Sequence, residues 1–408
     1  MTHTEHVLPN GLRIVHHPTE FPVGHCALLI NTGSRDEKED EHGMAHFIEH
    51  NLFKGTKKRK TYHILSRLDD VGGDLNAYTT KEETIIHASF LKEHFSRALE
   101  LIADILINST FPVKELQKEK DVIRDEIHSY LDSPSEYIFD EFENQIFKNH
   151  PMGRSILGTE KSLDKFNRKM VLNFINTNFN PEQMVLSISG PISWKRLLKL
   201  IESHFSEIPY KGKNNGRKTL SPYNPKKIES QKETYQTHAI VGNRAYDLHH
   251  DYFTAMVLVN NLLGGSGMNN RLSLNIREKY GFAYNIESFY SPYTDTGIFG
   301  IYLGTDKGTI DRSLELVHKE LKKLRETKLG TIQLSKAKKQ LIGQIALAQE
   351  NNLALAIALG KSLLNYNRID TIEDVYEKIE RITTEQVLEV SNTVFEPAQL
   401  SSLIYKAR

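Results

Sequence analysis

Two histidines and a glutamate stand together in His46-Phe-Ile-Glu-His50. On a helix, residues i and i+4 share a face, so both imidazoles can reach one ion. Neutral imidazole suits zinc, and a catalytic zinc takes three protein ligands and keeps a fourth position open. Glu49 sits three residues after His46, where a carboxylate can act as general base on water at that open position. The competing reading of the same residues is a solvated helix face with an ordinary core histidine.

A third ligand must come from another element. The segment 113–131 has helical apolar spacing and offers Glu115, Glu119, Asp121, Asp125 and Glu126. Glu119 and Glu126 are seven apart and share a face two turns apart. One of the two could ligate while the other orients a ligand or the water. A solvated charged helix, with Lys118, Lys120 and Arg124 as partners, accounts for the same residues.

An internal repeat bears on the choice. Arg97-Ala-Leu-Glu-Leu101 recurs as Arg312-Ser-Leu-Glu-Leu316, and Leu116-Gln-Lys-Glu-Lys120 as Leu334-Ser-Lys-Ala-Lys338. Asn51-Leu-Phe matches Asn261-Leu-Leu, so three matches run in order at offsets of 210 to 218. At an offset of 210, His46, Glu49 and His50 fall on Met256, Val259 and Asn260. At 218, Glu119 and Glu126 fall on Ala337 and Gln344. All five candidate residues are lost together in the second half, which a mere charged surface gives no reason for.

The elements that must position these residues follow from pattern and punctuation. Residues around the Pro9-Asn10-Gly11 turn read as two short strands, and 23–31 as another. A charged loop, 35–41, leads into a helix over 41–53 that Gly55 stops. Residues 75–90 read as a strand pair and 94–107 as a helix. The stretch 211–228, rich in Lys, Gly, Asn and Pro, reads as a solvated interdomain linker. The expected organisation is therefore α+β: two similar α/β-sandwich-type domains from an internal duplication, a zinc-binding domain at 1–210 and a homologous one at 229–408.

Composition narrows the function classes. The 408 residues carry 52 Lys+Arg and 52 Asp+Glu, a formal charge of zero, with 39% hydrophobic residues. That is a globular chain, not a disordered one, and a poor electrostatic match to nucleic acid. The single cysteine, Cys26, excludes an intrachain disulfide. No run of about 18 apolar residues and no basic-then-apolar start appears, so no membrane association and a cytoplasmic location are expected. The pairs His16-His17 and His249-His250 are expected at the surface, and Trp194 is expected to pack a helix on the first domain's sheet. The basic run 54–60 reads as the C-terminal end of the metal helix, favoured by the helix dipole.

At these motifs the chain resembles the inverzincin metallopeptidases that include pitrilysin, insulin-degrading enzyme and mitochondrial processing peptidase. The order H-x-x-E-H is theirs. In that family the third zinc ligand is a Glu about 76 residues after the second His, which here is Glu126, and a required Glu seven residues earlier matches Glu119. Gly72-Gly-Asp-Leu-Asn-Ala-Tyr-Thr79 looks like the family's substrate strand. The resemblance implies that Asn76, Ala77 and Tyr78 hold peptide backbone by strand addition. Asn275-Ile-Arg-Glu-Lys-Tyr-Gly-Phe-Ala-Tyr284 is similar to the C-terminal signature, which implies that Arg277 and Tyr284 contact substrate near the scissile carbonyl. The length matches the short members that pair two chains into a clamshell.

The expected protein is thus a zinc endopeptidase acting on short unfolded peptides. It holds one Zn2+ per chain on His46, His50 and Glu126, with Glu49 as general base. Its expected partners are peptide substrate and a second copy or a homologous chain. The alternatives are a noncatalytic or partner-dependent subunit, and a maturase for one precursor peptide.

Overall fold

The computed structural model describes residues 3–210, 212 and 216–408. Its first half runs β1 (Thr4–Val7), β2 (Arg13–Pro18), β3 (Val23–Ile30), α1 (Met44–Leu52), α2 (Thr61–Asp69), β4 (Asp74–Thr79) and β5 (Thr84–Leu91). Then come α3 (Phe95–Asn108), α4 (Val113–Leu131), α5 (Pro134–Ile146), α6 (Glu160–Lys165), α7 (Arg168–Asn178), β6 (Met184–Gly190) and α8 (Trp194–Phe205). The second half has β7 (Lys227–Lys232), β8 (Thr237–Ala245), α9 (Phe253–Gly264), β9 (Ala283–Pro292), β10 (Gly297–Thr305) and α10 (Ile310–Glu326). It closes with α11 (Thr331–Ala348), α12 (Asn352–Tyr366), α13 (Ile372–Glu380), α14 (Thr384–Val394) and β11 (Ser401–Ala407).

Each half builds one mixed sheet of the same design. The first is ordered β1-β2-β6-β3-β5-β4 and the second β7-β11-β8-β10-β9. In both, one parallel pair (β2 with β6, β7 with β11) joins an otherwise antiparallel array. Removing β1 superimposes the two orders, as the duplication requires. The repeat also holds at a single buried side chain. Lys120 on α4 donates to the Asp164 carbonyl in α6 at 2.9 Å, and Lys338 on α11 donates to the Glu380 carbonyl at the end of α13 at 2.6 Å. A cation at a helix C-terminus satisfies an orphan carbonyl and the dipole together.

The chain divides into two compact units that differ from two continuous halves. Unit one holds residues 1–127, 154–219 and 348–371; unit two holds 128–153, 220–347 and 372–408. The helix pair α5 and α12, at matching places in the repeat, is exchanged. The apolar side of α12, Leu359 and Leu363, closes over Val15, Ala27, Leu29, Ile85 and Val185 of the first sheet. The side of α5 bearing Ile138, Phe142 and Ile146 closes over Ile240, Ile298 and Leu403 of the second. The physical reason is burial, since each Leu, Ile or Phe removed from water stabilises the fold by about 1.5–3 kcal/mol. Gly360 lets α12 lie close: a Cβ there would come 2.3 Å from Leu29 Cδ1 and 3.2 Å from Ser187 Cβ. Ser187 Oγ donates to the Ala356 carbonyl at 2.6 Å beside it.

The stretch read as a solvated linker is not one throughout. Lys211, Lys213, Asn214 and Asn215 lie outside the described residues, but Arg217 is docked on unit one. It pairs with Asp36 at 3.1 Å and Glu82 at 3.2 Å, and donates to Asn31 Oδ1 at 2.9 Å. Strand β7 already begins at Lys227. His16 also departs from its expected surface placement. It is 2% exposed on β2 and stacks on Trp194 at the start of α8, rings 6.2 Å apart. His249 and His250 are exposed. Among the described residues no helix is long and apolar enough to cross a membrane.

Candidate metal centre

Helix α1 begins later than its sequence pattern suggests, because Gly43 caps it in the left-handed region at φ 90°. Residues 39–41 form a separate 3-10 turn instead. A Cβ on Gly43 would stand 2.7 Å from Gly158 Cα, so only glycine fits. From there Met44, Ala45, Phe47 and Ile48 bury against the first core, and this fixes where His46 and His50 emerge. Their rings lie 4.6 Å apart, centre to centre.

Glu126, on the long helix α4, completes the group. Its Oε1 is 3.8 Å from His46 Nε2 and its Oε2 3.5 Å from His50 Nε2. One ligand atom from each of the three residues falls within 4.8 Å of the others. A tetrahedral zinc with bonds of 2.0–2.2 Å needs such atoms roughly 3.4 Å apart. The donor set, two imidazoles and a carboxylate with the Glu126 side chain 43% exposed, therefore fits zinc and leaves solvent access.

Glu119 lies one face-repeat earlier on α4, where it is 6% exposed. His50 Nδ1 is 3.1 Å from Glu119 Oε2, and Lys54 Nζ is 2.6 Å from Glu119 Oε1. Donation from Nδ1–H to Glu119 leaves the Nε2 lone pair facing Glu126, the tautomer a metal ligand requires. His46 differs, since among the described residues its buried Nδ1 has no hydrogen-bond partner. Burial pushes the His46 ring pKa down to about 3, with His50 adding to the effect, so the ring is neutral across the ordinary pH range.

Glu49 emerges from the same helix beside this cluster. Burial raises its carboxyl above the usual range; interaction with Thr79 and His50 pulls it back, and Glu126 pushes it further up. Thr79 ends β4, the strand at the open edge of the first sheet. On β4, Asn76 is exposed, Ala77 is buried and Tyr78 is half-buried, with Asn76 Oδ1 accepting from the Ala77 amide at 2.8 Å. Arg277 and Tyr284 belong to unit two. Arg277 lies in a π-helical turn, Ser273–Glu278, and pairs with Glu278 at 3.0 Å. Tyr284 is 66% exposed, its hydroxyl 3.4 Å from Asp306.

Three participants are not singled out by sequence. Thr79 and Lys54 reach the cluster only through tertiary placement. Glu37 accepts hydrogen bonds at the start of α1; its one signal is that of an acidic residue shortly before a helix.

Known proteins are similar along nearly the whole chain. The family model for insulinase, peptidase family M16, matches residues 14–160, and that for the peptidase M16 inactive domain matches 165–341. An uncharacterized zinc protease of Bacillus subtilis is 33% identical over 388 residues, 95% of this chain and 94% of that one. The beta subunit of the mitochondrial-processing peptidase of Bos taurus is 31% identical over 395 residues, 94% of this chain and 80% of the subunit. A protease from Helicobacter pylori shares the fold, with a TM-score of 0.92 at 20% identity over 99% of each chain. With two family models placed end to end and relatives named zinc proteases aligned over its length, the chain belongs to the insulinase family of metallopeptidases, M16, as a short two-domain member.

Proposed function

We propose that this chain is a zinc-dependent endopeptidase that hydrolyses short, unfolded peptides. The observation that carries the reading is the convergence of His46, His50 and Glu126 within 4.8 Å, with Glu49 on the same helix beside them. Zinc, when bound, supplies a Lewis acid that polarises the scissile carbonyl and acidifies water. His46, His50 and Glu126 would hold it. Glu49 takes the proton of the attacking water and returns it to the leaving amine. Glu119 holds His50 in one tautomer and orientation. Substrate lies extended on the free edge of β4, its backbone paired along Asn76 to Tyr78, so recognition is mainly of main chain. Tyr284 donates to the oxyanion and Arg277 positions it or the substrate, and a second copy of the chain supplies this pair. The second half, lacking every counterpart of the zinc set, is the noncatalytic half.

Elemental analysis of the purified protein tests the metal assignment. About one zinc per chain is expected, lost in His46→Ala, His50→Ala and Glu126→Ala. Cleavage of a quenched peptide should stop with chelator and return with zinc. Full zinc occupancy in Glu126→Ala contradicts the ligand set. A zinc-replete chain that cleaves no peptide favours the noncatalytic subunit instead.

A further inference from the structure

Helix α1 must hold its two imidazoles against a carboxylate borne by a different helix, and its N-terminus has no side-chain cap of its own. Gly43 has no side chain, and no residue of the helix supplies one. The capping comes from outside. Glu37 Oε2 accepts the Gly43 amide at 2.8 Å and Glu37 Oε1 accepts the Ala45 amide at 2.9 Å. Glu37 is 3% exposed, a buried carboxyl spanning two orphan donors that lie three residues and one residue before His46.

Its surroundings reach the substrate strand. Lys81 lies in the turn joining β4 to β5 and donates to the Arg154 carbonyl at 2.6 Å. Arg154 donates in turn to the Lys38 carbonyl at 3.0 Å. Both cations act electrostatically on the Glu37 carboxyl. The chain just before Glu37 runs against the same turn: the Ser34 amide donates to the Thr80 carbonyl at 3.1 Å and the Arg35 amide to the Lys81 carbonyl at 2.7 Å. One buried segment thus meets both the start of α1 and the end of β4.

We propose that Glu37 is a positioning residue: it fixes the rotation and height of α1 relative to the β4–β5 turn, so that His46 Nε2, the Glu49 carboxylate and a peptide on β4 share one register. This rests on the metal and substrate reading above. A side chain that only capped the helix would affect folding; this one also sets the geometry of the metal site, where about 1 Å of looseness is costly.

Cobalt(II), which reports coordination geometry by its visible absorption, is the probe. Wild type and Glu37→Gln are compared in thermal unfolding without metal, in cobalt affinity and spectrum, and in kcat and KM on a quenched peptide. Gln is nearly isosteric, but its NH2 end cannot accept the second amide. The variant is expected to unfold cooperatively, to bind cobalt about 10–100-fold more weakly, the range for lost supporting contacts, and to show an altered band, with kcat reduced and KM close to wild type. Wild-type cobalt affinity and spectrum in a folded Glu37→Gln protein overturn the role of Glu37 alone. A wild-type chain that takes up no cobalt overturns the metal-site reading and this role with it. If Glu37→Gln loses its cooperative transition, Glu37→Asp carries the same comparison, because it keeps the carboxyl group yet is too short to span both amides.

Discussion

In the proposed reaction Glu49 is the side chain on which turnover depends most directly. Glu49→Gln keeps size and packing but cannot take a proton, so metal content should stay at the wild-type level. Peptide cleavage should fall by about 10²–10⁴, the usual worth of a general base. Turnover within a few-fold of wild type in a stopped assay would remove Glu49 from that role. Glu119→Ala probes support of the metal site and not proton transfer. Losing the acceptor for His50 Nδ1 should weaken zinc about 10–100-fold in a competition with a chromophoric chelator. His16 supplies a pH prediction remote from the candidate metal site. Burial lowers its pKa below 6.5, opposed by the Gly190 carbonyl and reinforced by His17. The folded state thus resists a proton that the unfolded chain accepts near 6.5. The contribution is complete above that pH and declines on acidification. Urea midpoints of His16→Phe should fall less between pH 7 and pH 5 than those of wild type. At this scale sequence carries a good deal. The i, i+4 spacing places two imidazoles on one face, and the seven-residue spacing does the same for Glu119 and Glu126. Glu37, Lys54 and Thr79 stay invisible, because their roles arise from contacts between elements far apart in sequence.

Among the elements, the strands are legible: 23–31 is β3 to within a residue, and 75–90 is β4 and β5 around a tight turn. Alternation and turn residues are local signals, so they survive folding. The start of α1 lies three residues beyond the expected one because a left-handed glycine cap leaves no mark in apolar periodicity. The destinations of α5 and α12 are equally hidden. An apolar stripe states that a helix must be covered, not by which sheet. The contact of α12 with the first sheet is tight enough to test by substitution. Gly360→Val places methyl groups where Leu29 and Ser187 already stand and should destabilise unit one by about 1–3 kcal/mol, as overpacking does. Chemical denaturation followed by the fluorescence of Trp194, the sole tryptophan, reports it. An unchanged midpoint would mean that α12 does not pack as closely as the structure has it.

For the whole molecule, the proposed division of labour between two chains is tested by mixing. Glu49→Gln and Tyr284→Phe are each expected to be inactive as homodimers. After subunit exchange, a mixed dimer pairs one intact zinc site with one intact Tyr284, and activity should return toward about one normal site per mixed dimer, half that of the wild-type dimer, as independent sites predict. No recovery, with exchange confirmed by mass, rules out sharing between copies. The repeat offsets make the duplication legible, and the sheets bear it out. The boundaries are less legible, since the chain passes between its two units at 127/128, 153/154, 219/220, 347/348 and 371/372.

That path has an ancestral reading. Undo the duplication, and α5 and α12 become one helix present in two copies, each lying on the other copy's sheet. This is the arrangement that a domain-swapped dimer joined end to end in one chain would have. Such a chain is interlocked. A protease site engineered between Thr219 and Leu220 should, once cut, yield two fragments that still elute together from a sizing column under native conditions, because each retains a helix seated in the other's core. Residues 1–219 made alone would carry an α5 without its sheet and a sheet without its α12, and sedimentation should find them self-associated and not monomeric.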